Sequence, residues 1–241
     1  MRDAVVIIPT YNEIENIEAI IRAVFSQKKA FDILVVDDNS PDGTSEKVKS
    51  LQKEFDNQLH ILNRPKKTGL GTAYIEGFRW CLSKSYDYIF EMDADFSHNP
   101  NDLIYLYNAC SKEGADMSIG SRYINNRVNV VNWDMKRLLM SYFASKYVKL
   151  ITRMKIDDTT AGFVCYHRRV LETINLEKIK FVGYAFQIEM KFNAHLKKFK
   201  IIEVPIIFTD RKKGKSKMSG GIISEAIFGV INMKLKSLFR S

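Results

Sequence analysis

Short apolar runs alternate with stretches of helical periodicity along the first half of the chain. Apolar runs of strand length lie at residues 4–8, 33–36, 59–62, 88–92 and 117–119. Helical stripes follow the first two runs, formed by Ile14, Ile17, Ile21 and Val24 and by Val48, Leu51 and Phe55. This alternation predicts βαβ units and a mainly parallel sheet that is buried on both faces.

The pattern changes in the second half of the chain. Four asparagines among residues 125–132 predict a loop, and an amphipathic helix is predicted over 135–154. No internal repeat or low-complexity segment stands out. We therefore expect one α/β domain with a C-terminal appendage. Right-handed crossovers would align the carboxyl ends of the parallel strands along one edge, where open α/β sheets bind ligands.

Composition is that of an ordinary globular protein, and the charge distribution adds information. The 241 residues are 46% apolar and 27% charged, which excludes a disordered chain, a collagen and a coiled-coil array. The net charge is +9. Basic and acidic residues balance up to residue 190, so the whole excess lies in residues 191–241. A basic end on a neutral body indicates an anionic partner, which could be nucleic acid, a membrane surface or a phosphorylated ligand.

Cysteine spacing and the apolar runs suggest a compartment. Cys81, Cys110 and Cys165 have no paired spacing, so we expect neither a disulfide framework nor a zinc site. Arg2 and Asp3 lead into only five apolar residues, which is not the pattern of a signal peptide. No uninterrupted apolar run reaches the length of a membrane span. We expect a cytoplasmic protein, or one bound peripherally to the cytosolic face of a membrane.

Polar clusters follow four of the predicted strands, at residues 9–13, 37–43, 93–95 and 120–122. Turn and capping preferences explain any one of them. They explain the Asp93-Ala94-Asp95 sequence poorly, because two neighbouring carboxylates repel unless a cation lies between them. Oxygen ligands suit Mg²⁺ or Mn²⁺ bridging a substrate diphosphate. No glycine-rich loop follows the first strand, which argues against a dinucleotide fold or a P-loop.

Several motifs together resemble a known enzyme family. The segments Ile-Ile-Pro-Thr-Tyr-Asn-Glu, Val-Val-Asp-Asp-Asn-Ser-Pro-Asp-Gly-Thr and Met-Asp-Ala-Asp-Phe-Ser-His-Asn-Pro resemble those of inverting GT-A glycosyltransferases. The Gly-Leu-Gly-Thr-Ala, Gly-Ser-Arg-Tyr, Asn-Trp and Arg-X-X-Gly-X-Ser-Lys elements narrow the resemblance to dolichol-phosphate (polyprenol-phosphate) mannose synthases. The resemblance covers nearly the whole chain, and it implies a Rossmann-like GT-A domain. Residues 157–163 depart from the pattern of that family.

The resemblance also implies roles for individual residues on the donor side. The nucleotide would be bound by Pro9, Tyr11, Glu13, Asp38, Asp93, Ala94, Asp95, Arg211 and Lys217. Asp95 would ligate Mg²⁺ or Mn²⁺, and Ser97 stands where many relatives place a second metal-binding side chain. Arg211 and Lys217 would close over the diphosphate.

The acceptor would be bound by Arg122 and Arg137, which match residues that hold a lipid phosphate. Without the resemblance, Arg122 is equally explained as a surface arginine, and Arg137 is better explained as one because its helix is rich in Lys and Arg. Catalysis would thus depend on Asp93, Asp95, Arg122 and Arg137. The implied reaction transfers mannose from GDP-mannose to a polyprenyl phosphate with inversion. A phosphate nucleophile is already anionic near neutral pH and needs no strong general base.

Other functions remain open at this stage. The enzyme could transfer another sugar, such as glucose from UDP-glucose, or could use a non-lipid acceptor. A nucleic-acid-binding protein is the remote alternative, because the basic residues lack the interleaved aromatics of a stacking platform. The four histidines are expected to be packing or hydrogen-bonding residues, although His98 adjoins the expected metal loop. Tyr142, Phe143 and Tyr147 have the helical spacing of core residues, and a lipid-facing wall is the less favoured alternative.

The basic end predicts separate elements. Residues 201–208 resemble a strand that Pro205 confines to a sheet edge. We expect the glycosyltransferase domain to span 1–218, ending in a loop over 211–217, and an amphipathic basic helix to occupy 219–241. That helix either packs on the domain or lies on anionic lipid. We expect direct peripheral contact with the bilayer or recruitment by a membrane partner protein, and no nucleic acid.

Overall fold

A seven-stranded sheet forms the centre of the molecule. The computed structural model describes residues 2–124, 127–183, 185–211 and 221–238. The strands of the sheet are β1 (Ala4–Thr10), β2 (Asp32–Asp37), β3 (Leu59–Asn63), β4 (Tyr88–Glu91), β5 (Met117–Ser121), β9 (Val164–His167) and β10 (Ile201–Pro205). Their order is β10-β5-β9-β4-β1-β2-β3. All neighbours are parallel except β9, which runs antiparallel to β4 and β5. The predicted mainly parallel sheet is confirmed.

Helices cover both faces of this sheet. They are α1 (Ile17–Phe25), α2 (Thr44–Gln52), α3 (Leu70–Leu82), α4 (Leu103–Ser111), α5 (Met135–Thr152), α6 (Arg168–Thr173), α7 (Ala185–Leu196) and α8 (Gly221–Leu238), with 3₁₀ turns at Pro100–Asp102 and Leu176–Lys178. Successive residues of each strand point to opposite faces. Val5 and Ile7 of β1 therefore belong to the core under α3 and α7, whereas Val6 and Ile8 belong to the core under α1 and α4.

Two predicted boundaries move for local reasons. The first helix was expected to include Ile14, but it begins at Ile17, because the Glu13 carbonyl accepts the amide protons of Asn16 and Ile17 in a preceding turn. The helix predicted over 135–154 ends at Thr152. Arg153 adopts a left-handed conformation with φ of 61°, which terminates the helix.

The segment predicted as a loop, 125–132, contains two short strands. Strand β7 (Arg127–Val128) pairs antiparallel with β6 (Tyr123–Ile124), and β8 (Val130–Val131) pairs parallel with β11 (Phe208–Thr209). Asparagine content favoured a loop, but β7 pairs with the neighbouring β6 and β8 pairs with the distant β11, so both strands have backbone partners. These short paired strands connect the end of β5 to the end of β10.

The C-terminal elements agree with the remaining predictions in part. Strand β10 lies at the edge of the sheet, as predicted, but it ends at Pro205 and does not continue to residue 208, where the separate strand β11 begins. Helix α8 packs against α5 and α7, with Val230 buried and Gly229 beside Phe181. Within the described part of the chain, no helix is long and apolar enough to cross a bilayer. Cys81, Cys110 and Cys165 are buried free thiols.

Candidate active site

A cavity of about 480 Å³ opens beyond the carboxyl ends of β4 and β5. One end is polar, and six of the residues singled out from the sequence line it: Asp93, Asp95, Ser97, Arg122, Arg137 and Arg211. The opposite wall is apolar. We call it the apolar trough, formed by Met140, Phe143, Ala144, Tyr147, Val148 and Ile188. One cavity therefore contains both the charged side chains and the apolar trough.

Asp93 and Asp95, the carboxylate pair, are held by a tight turn after β4. The main-chain N–H of Asp93 donates to His98 Nδ1 over 3.1 Å, and the N–H of Ser97 donates to Asp95 Oδ1 over 3.0 Å. Phe96 occupies the left-handed region, with φ of 62°, which reverses the chain between these contacts. His98 thus has the hydrogen-bonding role that the sequence suggested, and it stacks on Phe163.

The carboxylate pair concentrates negative charge. Burial raises the pKa of Asp93 and the neighbouring Asp95 raises it further, whereas Arg211 acts in the opposite direction. Because 39% of the Asp93 side chain remains open to the cavity, water there moderates the shift. Asp95 Oδ2 forms an ion pair with Arg211 Nη2 at 2.9 Å. A cation at this position is therefore compatible with the local electrostatics.

The oxygen atoms beside Asp95 fit a hard divalent cation. Ser97 Oγ is buried and, among the described residues, has no hydrogen-bond partner. Carboxylate and hydroxyl oxygens are the donors that Mg²⁺ and Mn²⁺ accept, especially when a bound phosphate supplies further oxygens. In the described ranges, no group of three or more His, Cys, Asp or Glu side chains is arranged as a complete metal site.

Arg122 lies just after β5 and is held by residues of the segment 157–163. In the sequence, this segment was noted only because it departs from the family pattern. Its Nε and Nη2 each donate to an Asp158 carboxylate oxygen over 2.7 Å, and its main-chain N–H donates to Oδ2 over 2.9 Å. Nη2 also donates to Thr160 Oγ1 over 2.8 Å. Burial raises the pKa of Asp158, but the charge and hydrogen bonds of Arg122 outweigh burial and keep the pKa below its usual value. Asp158 is thus the fixed counter-ion of Arg122.

Arg137 lies in the first turn of α5, close to Arg122. Asp134 caps this helix by accepting the Arg137 main-chain N–H over 2.9 Å. Arg137 Nη1 donates to Asp210 over 2.8 Å. Its guanidinium carbon lies 4.3 Å from the centre of the Trp133 ring, and that of Arg122 lies 5.6 Å from the same ring. Trp133 therefore organises both arginines at the polar end of the cavity.

Among the residues expected to contact the nucleotide, Asp93, Asp95 and Arg211 line the main cavity, but Pro9, Tyr11, Glu13 and Asp38 do not. These four lie beside it, at the ends of β1 and β2. Asp38 accepts a 2.5 Å hydrogen bond from Arg64, which is buried and also contacts Glu76. Burial raises the pKa of Asp38, and Arg64 opposes that shift. Arg64 was missed in the sequence because no motif surrounds it; its position just after β3 was the available signal.

The other nucleotide-side residues have local partners. Glu13 accepts a 2.9 Å hydrogen bond from Asn16. The Tyr11 ring lies 4.5 Å from the Lys67 ammonium group, and Pro9 is the penultimate residue of β1. Ala94 separates the two carboxylates of the pair. Lys217 lies outside the described residues.

The apolar trough corrects one expectation. Helical spacing placed Phe143 in the core, but its side chain is 62% exposed and lies at the cavity wall. Helix α5 is partly open because it packs on α8 along one side and borders the cavity along another. Periodicity identifies an apolar face, but it does not show what covers that face.

Residues 5–174 match Glycosyl transferase family 2. The chain belongs to this family. It is 45% identical over 225 residues to "Polyprenol monophosphomannose synthase" of Mycolicibacterium smegmatis, covering 93% of this chain and 84% of the relative. It is 43% identical over 224 residues to "Undecaprenyl-phosphate mannosyltransferase" of Micrococcus luteus, covering 93% and 90%. The recognised resemblance and the assignment as a glycosyltransferase are confirmed.

Solved structures agree with this fold. Glucosyl-3-phosphoglycerate synthase from Mycobacterium tuberculosis, in complex with Mn²⁺, UDP-glucose and phosphoglyceric acid, superposes on the family 2 chain with a TM-score of 0.70. The match covers 98% of this chain and 79% of that one at 15% identity. The expected α/β, GT-A fold is confirmed.

Proposed function

We propose that this family 2 glycosyltransferase transfers mannose from GDP-mannose to a polyprenyl phosphate, with inversion at the anomeric carbon. The products are polyprenyl phosphate β-mannose and GDP. One observation carries the proposal: a single cavity joins the carboxylate pair and two arginines to the apolar trough. A polyprenyl phosphate needs both surfaces, one for its anionic head and one for its hydrocarbon. The names of the two relatives support the same substrate class.

The donor would lie across the ends of β1, β2 and β4. We assign the nucleotide to Pro9, Tyr11, Glu13, Asp38 and Ala94, and the diphosphate to the polar end of the cavity. Arg211 would exchange its ion pair with Asp95 for contacts with the diphosphate, and Lys217 would join it. Two cations near the leaving group stabilise the negative charge that develops there.

Asp95 and Ser97 would hold the divalent cation, with Asp93 beside it. A bound Mg²⁺ or Mn²⁺ ion supplies charge neutralisation for a departing diphosphate. Asp93 would face the donor sugar. The protein's own contribution is to keep these oxygens fixed by the turn that His98 and Ser97 complete.

The acceptor phosphate would lie between Arg122 and Arg137. A guanidinium group binds phosphate through paired N–H donors in a fixed plane, so two arginines can hold this dianion near the donor diphosphate. The attacking phosphate oxygen carries its own negative charge and needs no proton removed. The isoprenoid chain would leave this end of the cavity along the apolar trough, towards the exposed side of α5.

The exposed sides of α5 and α8 would face a membrane. Both helices expose large apolar side chains, among them Met135, Leu139, Phe143, Leu150, Phe228, Ile231, Leu235 and Leu238. Lysines on the same helices match the charge of anionic lipid, at about 1 kcal/mol for each basic residue near the surface. We propose peripheral attachment at the cytosolic face, alone or with a membrane partner protein, and a separate membrane role for residues 219–241 beside the domain formed by 1–218.

The donor and the linkage can be tested with purified protein. Labelled GDP-mannose and labelled UDP-glucose are each supplied with undecaprenyl phosphate and Mn²⁺, and lipid-extractable label is counted. We expect mannose to be transferred at least about tenfold faster, a difference of roughly 1.4 kcal/mol in transition-state binding. The product should be the β-anomer by NMR. Label entering lipid from UDP-glucose alone would refute the mannose assignment and favour the glucose alternative.

A further inference from the structure

A chain of buried polar side chains lies behind the cavity. Glu91 is the last residue of β4, and Gln187 and Lys191 lie on α7; all three are almost completely enclosed. Gln187 Nε2 donates to Glu91 Oε2 over 2.6 Å, and the Tyr166 hydroxyl donates to Glu91 Oε1 over 3.4 Å. Burying a carboxylate and an ammonium is costly unless each is fully hydrogen-bonded. This chain therefore requires a structural explanation beyond core packing.

The Lys191 ammonium has an acceptor for each of its three protons. Nζ donates to the Ala161 carbonyl over 2.6 Å, and to the carbonyl and side-chain oxygens of Gln187 over 3.2 Å each. Burial lowers the pKa of Lys191, whereas Glu91 and Asp158 favour the charged form. Three acceptors suit an ammonium, because a neutral amine has only two protons to donate. Lys191 is thus a cation held by oxygen atoms.

The Ala161 carbonyl belongs to the irregular segment that grips Arg122. Residues 158–162 run between α5 and β9 without ladder hydrogen bonds, so side chains must fix their shape. On one side, Glu203 accepts the main-chain N–H groups of Asp157 and Asp158 over 2.7 and 2.9 Å. On the other side, Lys191 holds the Ala161 carbonyl. The segment is anchored from both α7 and β10.

We infer that Lys191 is a positioning residue that acts through the 158–162 segment to orient Arg122 towards the acceptor phosphate. The inference rests on the proposed function, in which Arg122 binds that phosphate. Glu91 and Asp158 both favour the charged form of Lys191, and burial raises the pKa of Glu91 to about 8. Removing the Lys191 cation would leave the Ala161 carbonyl without its donor, so the 158–162 segment, and with it the Asp158 carboxylate that holds Arg122, would lose its fixed position.

The test uses the full chain with Lys191→Met. We expect the KM for undecaprenyl phosphate to rise about tenfold, which corresponds to roughly 1.4 kcal/mol, while the KM for GDP-mannose stays within about twofold. Lys197→Met, at an exposed lysine just beyond the same helix, is the matched control and should match wild type in both values. Equal rises in both KM values, or no change in either, would overturn the inference.

A double-mutant cycle separates positioning from general stability. In an Arg122→Ala background, Lys191→Met should change the acceptor KM by less than about twofold, because its effect passes through the missing guanidinium. Fully additive losses would overturn the inference. If Arg122→Ala itself leaves the acceptor KM unchanged, the acceptor assignment fails as well, which is a separate result.

A second variant covers the case in which Lys191→Met does not fold. Glu91→Gln combined with Lys191→Met removes both buried charges, an exchange that is often neutral for stability. The folded double variant, verified by circular dichroism, still lacks the donor to Ala161. It should therefore show the same selective rise in acceptor KM. A wild-type acceptor KM in this variant would contradict the role of Lys191.

Discussion

Among the described residues, the charged side chains at the polar end of the cavity include three ion pairs: Asp95 with Arg211, Arg137 with Asp210, and Arg122 with Asp158. The Arg122–Asp158 pair is buried and has further hydrogen bonds, so it can persist when substrate binds. In the proposed function, the Asp95–Arg211 pair would exchange for contacts with the metal ion and the diphosphate. We therefore expect a fixed acceptor side and an exchangeable donor side.

Asp95→Asn tests the donor side at a single position. The amide keeps the size of the side chain but removes the charge that would hold Mg²⁺ or Mn²⁺, so transfer should fall by about 10²–10³, the scale of losing a preorganised electrostatic contact. Mn²⁺ binding in the presence of GDP, followed by EPR, should weaken in parallel. Asp56→Asn, at an exposed loop, is the control. Unchanged Mn²⁺ binding in Asp95→Asn would refute the metal assignment.

His98 makes a separate prediction about pH and stability. Burial lowers its pKa to about 4, from about 6.5 in an unfolded chain. Between these values the unfolded state binds the extra proton, so stability falls as the pH decreases from 6.5 towards 4. His98→Gln should remove this component, reducing the loss of unfolding free energy between pH 7.5 and 5.0 by about 2 kcal/mol. Urea unfolding at both pH values measures it, and equal losses in both proteins would contradict it.

At the scale of elements, the sequence pattern predicted those strands and helices that local signals determine. The first five strands and the helices α1, α2, α5 and α8 were found because apolar runs and helical stripes are local signals. Strand β9 was missed, since Val164–His167 is a four-residue run whose place between β4 and β5 depends on distant partners. Strand β8 was missed for the same reason, whereas β7 is a two-residue strand, too short to give a period, that pairs with the adjacent β6. Asp158 was undervalued because its partnership with Arg122 joins residues 36 positions apart.

The docking of α8 depends on a close approach that only glycine permits. A Cβ atom at Gly229 would lie 2.5 Å from the Phe181 ring. Gly229→Val should therefore push α8 from its site and lower the unfolding free energy by about 1–3 kcal/mol, the usual cost of overpacking. Limited proteolysis should cut near α8 sooner in the variant.

Gly183→Ala provides the control, because a Cβ there meets nothing within 4 Å although it lies close to Phe181 in the chain. Its thermal unfolding and proteolysis should match wild type. Identical behaviour of Gly229→Val and wild type would show that α8 does not dock on this segment.

For the whole molecule, the net charge of +9 comes from residues 191–241, and the remaining question is which partner it serves. The composition left nucleic acid, membrane and phosphate open as partners, and family membership favours the last two. The sequence could identify the edge of the sheet, the carboxylate pair and the two arginines, because motifs and strand ends are local. It offered an apolar wall on α5 only as the less favoured alternative and could not identify the Lys191 chain, because both arise only when α5, α7 and β4 pack together.

Membrane attachment is tested on the whole protein with vesicles. Replacing Leu139 and Leu235 by Glu places charges on the exposed faces of α5 and α8. Flotation with vesicles rich in anionic lipid should fall several-fold, because apolar insertion is lost and anionic repulsion is gained. Tyr105→Glu, an exposed aromatic on α4, is the control and should float like wild type. Equal flotation of all three proteins would contradict attachment through this surface.

The central claim is that one cavity holds the donor diphosphate and the acceptor phosphate at distinct positions. The most direct measurement is the pair of KM values, for GDP-mannose and for undecaprenyl phosphate, in Arg122→Ala and Arg211→Ala. Arg122→Ala should raise the acceptor KM at least about tenfold with little change for the donor, and Arg211→Ala should do the reverse. If both variants raise both values equally, or if each changes the opposite substrate, the assignment of the two ends of the cavity is wrong.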